Sequence, residues 1–409
     1  VEIESGITRM RKDERERKML GKEEVIRALH LASFNGNIGD IANHVGFWNL
    51  FKKYVTNDVE VTYLEIREYY KSWNLRQFDD SFTDLVNRYD LLVIGGGNFF
   101  DVKWDYSTTG TTLNISDEIL RKIHIPIVFN GLGVDYSPNM CLAKVKDCFG
   151  SFIKYLDSRS DKFLVSVRND DSKMLLDQFF DGSSLKNIIQ IPDGGFFTSA
   201  GEYRHPEIPD DKTVIAINTV RDRMEDRWGD KESYNQYCNE FSLFIDKAIS
   251  RNPNLHFVFV PHIPSDLQAI SDVLNAVQDY NCRRNITIAP YLNGIATPGE
   301  YLVDLYRKSA VAVGMRYHSN ICSIAMHTPT IGIVTLKKHV ELYRNIGMDD
   351  RLFNVNENSF SEKLYERLIW SIENRDLLTE QNALLVRKLE QKSVEYYEKI
   401  AQLLYGKVL

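Results

Sequence analysis

The chain has 409 residues, of which 43% are apolar and 26% charged, with a formal net charge of −7. That length exceeds what one hydrophobic core sustains, so two domains are expected, and the composition excludes a disordered, fibrous or disulfide-built chain. The negative balance argues against a nucleic-acid partner, whose binding needs a basic face to displace counterions from phosphates.

Residues 1–22 form a charged helix or arm in which Arg9, Arg11, Lys12, Arg15, Arg17 and Lys18 alternate with Asp13, Glu14 and Glu16. It reads as a solvated helix, or alternatively as a peripheral contact with a membrane surface. Strands follow over 28–33, 59–64, 91–94, 125–129 and 163–167, each nearly continuous in apolar residues, as strands buried on both faces of a parallel sheet should be. Helical stretches over 41–54, 82–88 and 142–156 separate them, making 23–205 a first Rossmann-like domain. The polar stretch 202–212, with Pro206 and Pro209, reads as the linker. A second array spans 206–358, with strands over 214–217, 257–260, 286–289, 311–313 and 330–334 and helices over 236–250, 265–279 and 319–327. Residues 359–409 carry no strand signal and are expected to form helices packing across both lobes. The expected class is therefore α/β, with two Rossmann-like lobes and mainly parallel sheets.

In open α/β sheets, ligands bind beyond the carboxyl ends of the strands. After the first strand comes Asn37-Ile38-Gly39-Asp40, either a tight turn or a backbone cradle for an anion at a helix start. Gly95-Gly96-Gly97-Asn98 follows the third strand, and implies either a ligand approaching the main chain or close helix–strand packing. Arg168 ends the fifth strand, and Asp193-Gly194-Gly195 closes the lobe. In the second lobe, Arg221 and Arg223 follow a buried strand and suit a phosphate or carboxylate, or else make surface salt bridges. His262, after Pro261, can position a ligand or bond a loop carbonyl. The sharpest group is Gly314-Met315-Arg316-Tyr317-His318, which sets a permanent cation beside a proton-exchanging ring.

No Gly-x-Ser-x-Gly elbow supports an α/β-hydrolase, and no His-Glu-x-x-His or cysteine pair supports a metal site. The five cysteines fit a reducing compartment. No apolar run approaches the ~20 residues of a membrane span, so a cytoplasmic location is expected, with peripheral membrane contact through the basic arm as an option.

The order of these motifs resembles the polysaccharide pyruvyl transferase family. The resemblance is carried by Asn37-Ile38-Gly39-Asp40 with Ala42, the Gly95-Gly96-Gly97 strand end, Ser166-Val167-Arg168 and Gly314-Met315-Arg316-Tyr317-His318, with Pro261-His262 and Asp266 between. It implies a GT-B-like architecture with the site between the lobes. It also implies phosphoenolpyruvate as donor, no further cofactor, and a pyruvate ketal formed across two hydroxyls of a sugar, free or lipid-linked, in surface polysaccharide biosynthesis. On that reading His318 and Arg316 are catalytic. Arg221, Arg316, His318, His262 and Gly314 bind the donor, while Asn37, Asp40, Gly97, Asn98, Arg168 and Asp193 bind the acceptor. Two departures stand out. Tyr317 occupies a place where many members have leucine, and Asn169 precedes Asp170 where many have aspartate directly after the arginine. The alternatives are a GT-B glycosyltransferase using a nucleotide sugar and a non-catalytic glycan-binding subunit.

Overall fold

Fourteen strands organise the computed structural model, which describes residues 25–136, 142–180, 185–292, 298–356 and 359–406. The charged arm at 1–22 lies outside the described residues. The first half holds β1 (Ile26–Ala32), β2 (Val59–Glu65), β3 (Leu91–Gly95), β4 (Phe100–Asp101), β5 (Ile127–Leu132), β6 (Val134–Asp135), β7 (Phe163–Arg168) and β8 (Ile188–Ile191). The second holds β9 (Thr213–Asn218), β10 (Leu255–Phe259), β11 (Ile286–Ile288), β12 (Val311–Gly314), β13 (Thr330–Val334) and β14 (Leu352–Asn354). They build two parallel six-stranded sheets, β2-β1-β3-β5-β7-β8 and β11-β10-β9-β12-β13-β14, with β4 and β6 paired separately.

Sequence dictates position within each sheet. The run Leu-Leu-Val-Ile-Gly of β3 is buried throughout and lies centrally, whereas Val-Glu-Val-Thr-Tyr-Leu-Glu of β2 alternates and forms an edge. The edge strands β8 and β14, four and three residues long, carry too little apolar sequence to be expected in advance. The helix expected over 265–279 divides into Pro264–Leu274 and Asp279–Asn285.

Both sheets reverse strand order away from their edges, between β1 and β3 and between β9 and β12. Neighbouring strands there feed connections in opposite directions, which leaves a crevice at their carboxyl ends. The loops carrying Asn37, Gly96, Asp222 and Arg316 all start at these points.

The C-terminal helices hold the halves together. Helix Phe360–Glu373 packs Leu364 and Leu368 beside Phe241 and Phe244 of helix Lys231–Arg251. The following helix, Arg375–Tyr405, is 31 residues long and so reaches about 47 Å. Near its start Asn382 donates to Thr328 O at 2.8 Å; near its end Tyr396 Oη donates to Asn130 Oδ1 at 2.9 Å. One helix thus touches both lobes. No helix among the described residues is long and apolar enough to cross a membrane.

Beneath the first crevice lies a buried imidazole pair. Trp48 Nε1 donates to His30 Nδ1 at 3.0 Å, so the other ring nitrogen, Nε2, carries the proton and donates to Gly95 O at 3.0 Å. Both nitrogens are used by the neutral ring, and burial lowers the His30 pKa to about 4. His44, packed edge-on at 4.7 Å, is pushed well below its usual range by burial and then by His30. Both rings protonate freely once the chain unfolds. Their contribution to stability is complete above pH ~6.5 and is lost as pH falls toward 4. Urea unfolding at pH 7 and pH 5 should therefore differ by about 2 kcal/mol for His30, with a further loss from His44; equal midpoints would contradict the neutral assignment.

Candidate active site

Two helix N-termini meet across the crevice. Helix Ile38–Tyr54 begins after Asn37, whose side chain caps it by accepting from Gly39 N at 3.0 Å. Helix Tyr317–Ala325 follows β12 and carries His318 in its first turn. The imidazole rests directly on Gly39: a Cβ there would lie 2.3 Å from His318 Nδ1. Its Nε2 faces Asp193 Oδ2 at 3.4 Å.

Asp193 is fully buried. Its Oδ1 accepts from Asn43 Nδ2 at 2.9 Å and Gly195 N at 2.8 Å, and Arg168 Nη1 stands 3.9 Å from Oδ2. Burial alone would raise this carboxyl. The fields of His318 and Arg168 and the hydrogen bonds outweigh it and hold the pKa at about 2. Asp193 is therefore an anion that orients His318.

Arg316 is held by carboxylates. Its Nε donates to Asp266 at 2.8 Å and 3.0 Å, its Nη2 also reaches Asp266, and Nη2 donates to Asp222 Oδ1 at 2.9 Å. Asp266 in turn accepts from His262 N at 2.9 Å, and Asn218 Oδ1 accepts from Arg316 N at 2.9 Å. Most of the Arg316 charge is thereby spent inside the protein.

Arg221 and Arg316, both expected to bind the donor, are turned to different partners. Arg221 bonds Asp272 at 3.1 Å and stands over the Tyr234 ring, so Asp222 is the residue of that loop that meets Arg316. His262 is fully buried, 2.7 Å from Tyr306 Oη, and kept neutral by burial and by Arg316. It braces the loop and does not line the crevice.

A second group of cations joins Lys338 and Arg227, which the sequence did not single out, to Arg168, which it placed on the acceptor side. Lys338 lies in the first turn of helix Lys337–Ile346, after β13. Burial and the nearby Arg168, Arg227 and Arg223 lower its pKa to about 8, against the opposing pull of Asp170. Arg227 donates to Thr335 Oγ1 at 2.7 Å, and burial lowers it to about 10. Arg168 bonds Asp170 at 2.5 Å and lies over the Tyr317 ring at 5.3 Å. Around them, among the described residues, Tyr317 Oη, Arg227 Nε and both nitrogens of His339 are buried without a hydrogen-bond partner. Unmet polar atoms beside crowded cations are what an anionic ligand would satisfy. The signal available in the sequence was Lys337-Lys338-His339 just beyond a strand's carboxyl end.

The first-lobe glycines serve packing. Gly96 has φ +85° and presses on the helix, where a Cβ would lie 2.5 Å from Asn43 Oδ1 and 2.7 Å from His44. Gly97 O accepts from Gly133 N at 2.9 Å. Asn98 is exposed, and a Cβ on Gly133 would come within 2.5 Å of Asn98 Oδ1 and 2.6 Å of Arg168 Nη2. Gly314 gives room to Ser319 Oγ, 2.6 Å from where its Cβ would be. Among the described residues, no group of three or more His, Cys, Asp or Glu side chains is placed to hold a metal ion.

Residues 37–336 match the sequence pattern of the family described as polysaccharide pyruvyl transferase. The chain matches no curated protein sequence. Among solved structures it is similar to MnaA of S. aureus, solved with UDP, at 10% identity and TM-score 0.52, over 91% of this chain and 96% of that one. It is likewise similar to a glycosyltransferase from Rickettsia africae, at 11% identity and TM-score 0.50, over 94% and 100% of the two chains. The UDP-GlcNAc 2-epimerase from Neisseria meningitidis, bound to UDP-GlcNAc, matches at 13% identity and TM-score 0.50, over 91% and 99%. These likenesses establish a GT-B-like fold.

Gly39→Ala isolates the His318 geometry. The methyl group should turn the imidazole away from Asp193 while the melting temperature stays within a few degrees. Modification of His318 by diethyl pyrocarbonate should then accelerate, and an unchanged rate would show that the ring tolerates a side chain at position 39.

Proposed function

The chain belongs to the polysaccharide pyruvyl transferase family, and we propose that it transfers pyruvate from phosphoenolpyruvate onto two hydroxyls of a sugar as a cyclic ketal. The observation that carries this reading is the anion-seeking cluster beside His318. Phosphoenolpyruvate bears a carboxylate and a phosphate. Lys338, Arg227 and Arg168 supply positive charge next to unmet hydrogen-bonding atoms. Arg316, already neutralised by Asp266 and Asp222, fixes the loop that presents His318. Arg221 has no part in this version of the donor site.

His318 donates a proton to the methylene carbon of the enol, leaving a cation at the neighbouring carbon that a sugar hydroxyl attacks. Asp193 orients the ring through the contact between its Oδ2 and His318 Nε2. A second hydroxyl then displaces phosphate. The acceptor, a sugar diol on a free or lipid-linked glycan, lies against the first-lobe loops carrying Asn37, Asp40, Gly97 and Asn98.

The reaction class is decided by incubating the protein with phosphoenolpyruvate and a panel of galactosides, glucosides and hexosamines. Mass gain on an acceptor should match phosphate release one for one. Nucleotide release from a nucleotide sugar would favour glycosyl transfer instead. His318→Ala should fold and lose about 10²–10⁴-fold in turnover; near-normal turnover would remove the acid assignment.

Lys338 gives the donor step its pH dependence. The ammonium attracts the donor only while protonated, so kcat/KM for phosphoenolpyruvate should fall as pH rises through about 8. Lys338→Arg should shift that alkaline limb upward and Lys338→Met should raise KM. A limb unchanged in Lys338→Arg would assign it to another group.

A further inference from the structure

Five carboxylates surround the reacting centre, and their surroundings sort them. Asp222 and Asp266 are committed to Arg316, and Asp170 to Arg168. Asp193 is fully buried, held at about 2, and takes Asn43 and Gly195 N on one oxygen. Asp40 differs from all of these. It follows Gly39, on which the His318 ring rests, in the first turn of helix Ile38–Tyr54. Its side chain is 16% exposed, and its ion pair with Arg67 Nη2 is long, at 3.8 Å. Arg67 is shared as well: it donates to Asn35 O and stands 3.7 Å from Glu65 Oε1. Among the described residues no backbone N–H bonds to the Asp40 carboxylate, because Asn37 caps the helix instead.

We propose that Asp40 is the general base that accepts the proton of the attacking sugar hydroxyl, on the first-lobe side of His318. This rests on the pyruvyl-transfer reading and adds the group that reaction still lacks. Burial lifts the Asp40 carboxyl above its ordinary range, with His318, Arg67, a hydrogen bond from the Ser33 side chain and Arg168 pulling it partly back. Two carboxylates beside one imidazole thus have their proton affinities driven apart, the pattern by which an orienting anion and a working base are told apart.

Protons and bonds balance. His318 in its protonated form gives a proton to the methylene carbon, which becomes a methyl group. The first sugar hydroxyl bonds to the adjacent carbon and passes its proton to Asp40. The carbon–oxygen bond to phosphate breaks, and the departing phosphate takes the proton from Asp40. The second hydroxyl bonds to the same carbon and returns a proton to His318. One diol and one phosphoenolpyruvate give one ketal and one hydrogen phosphate, with both side chains restored.

A carboxylate in a first helical turn also stabilises its helix through the dipole, by about 0.3–1 kcal/mol, so a purely structural role must be separable. The test uses the full chain with phosphoenolpyruvate and an acceptor that the wild type turns over, comparing Asp40→Asn and Asp40→Ala. Turnover should fall about 10²–10⁴-fold in Asp40→Asn, with KM for phosphoenolpyruvate essentially unchanged and the melting temperature within a few degrees. Added formate should restore turnover to Asp40→Ala, by supplying a carboxylate in the vacated space, and should not restore it to His318→Ala. Turnover of Asp40→Asn close to wild type overturns the assignment. So does a rise confined to the acceptor KM without formate rescue, which makes Asp40 a binding group only. If the wild type releases no phosphate with any acceptor, the pyruvyl-transfer reading itself falls and carries this role with it.

Discussion

The buried carboxylate of Asp193 accepts from Asn43 and Gly195 on one oxygen and faces His318 and Arg168 with the other. Each partner sits on a different part of the chain. Asn43 is on the first-lobe helix, Gly195 on the turn Gly194–Phe197, Arg168 at the end of β7 and His318 on the second-lobe helix Tyr317–Ala325. An ionised carboxylate without partners in such a place costs several kcal/mol. Three of these partners lie in the first lobe, and His318 is the contact that the second lobe adds. Gly46 makes the approach possible: a Cβ there would lie 1.8 Å from Gly194 O, so helix and turn pack backbone to backbone. The site geometry is a consequence of burying one anion where two lobes meet.

Around that anchor the charges divide into those that hold structure and those left for a ligand. Arg316 is the residue most conspicuous in the sequence, and it is the most completely neutralised, by Asp266 and Asp222. Its value lies in rigidity: Asp266 also holds the backbone at His262, and Asn218 holds Arg316 N, so β9, β10 and β12 end in one network. Among the described residues Lys338 makes no such carboxylate pair; burial first, and then the repulsion of Arg168, Arg227 and Arg223, lowers its pKa against the pull of Asp170. A dianion entering there would relieve that repulsion, and burial makes the gain larger than it would be in water.

What sequence conveyed and what it withheld follow from how each signal is written. The central strands are legible because burial on both faces demands unbroken apolar runs, as in Leu91–Gly95. The loops at the crevice are legible because strand ends carry glycine and charge together, as at Gly314 to His318. Direction is not legible. Arg221 and Asp222 are adjacent, yet only the folded loop decides that the aspartate meets Arg316 and the arginine meets Asp272. Lys338 escaped notice because a lysine pair at a helix start reads as solvated surface. The cation it meets there, Arg168, is 170 residues away and in the other lobe. The triple glycine left two readings open, and the packing of Gly96 on Asn43 and His44 supports close helix–strand contact.

Tyr317 shows how a departure from the family pattern acquires meaning once placed. Where many members carry leucine, this ring lies under the Arg168 guanidinium and stands edge-on to His318 at 5.2 Å. An aromatic face attracts the cation in a way an aliphatic chain cannot, and so helps to hold Arg168 beside its bond to Asp170. The phenol adds what leucine lacks altogether: a buried hydroxyl without a partner, kept protonated because burial raises its pKa well above the usual range. An O–H donor beside Arg168 can bond an anion without adding charge. On the proposed reading the substitution therefore bears on how the donor is gripped. The choice of acceptor is left to the first-lobe wall, where Asp40 stands opposite His318.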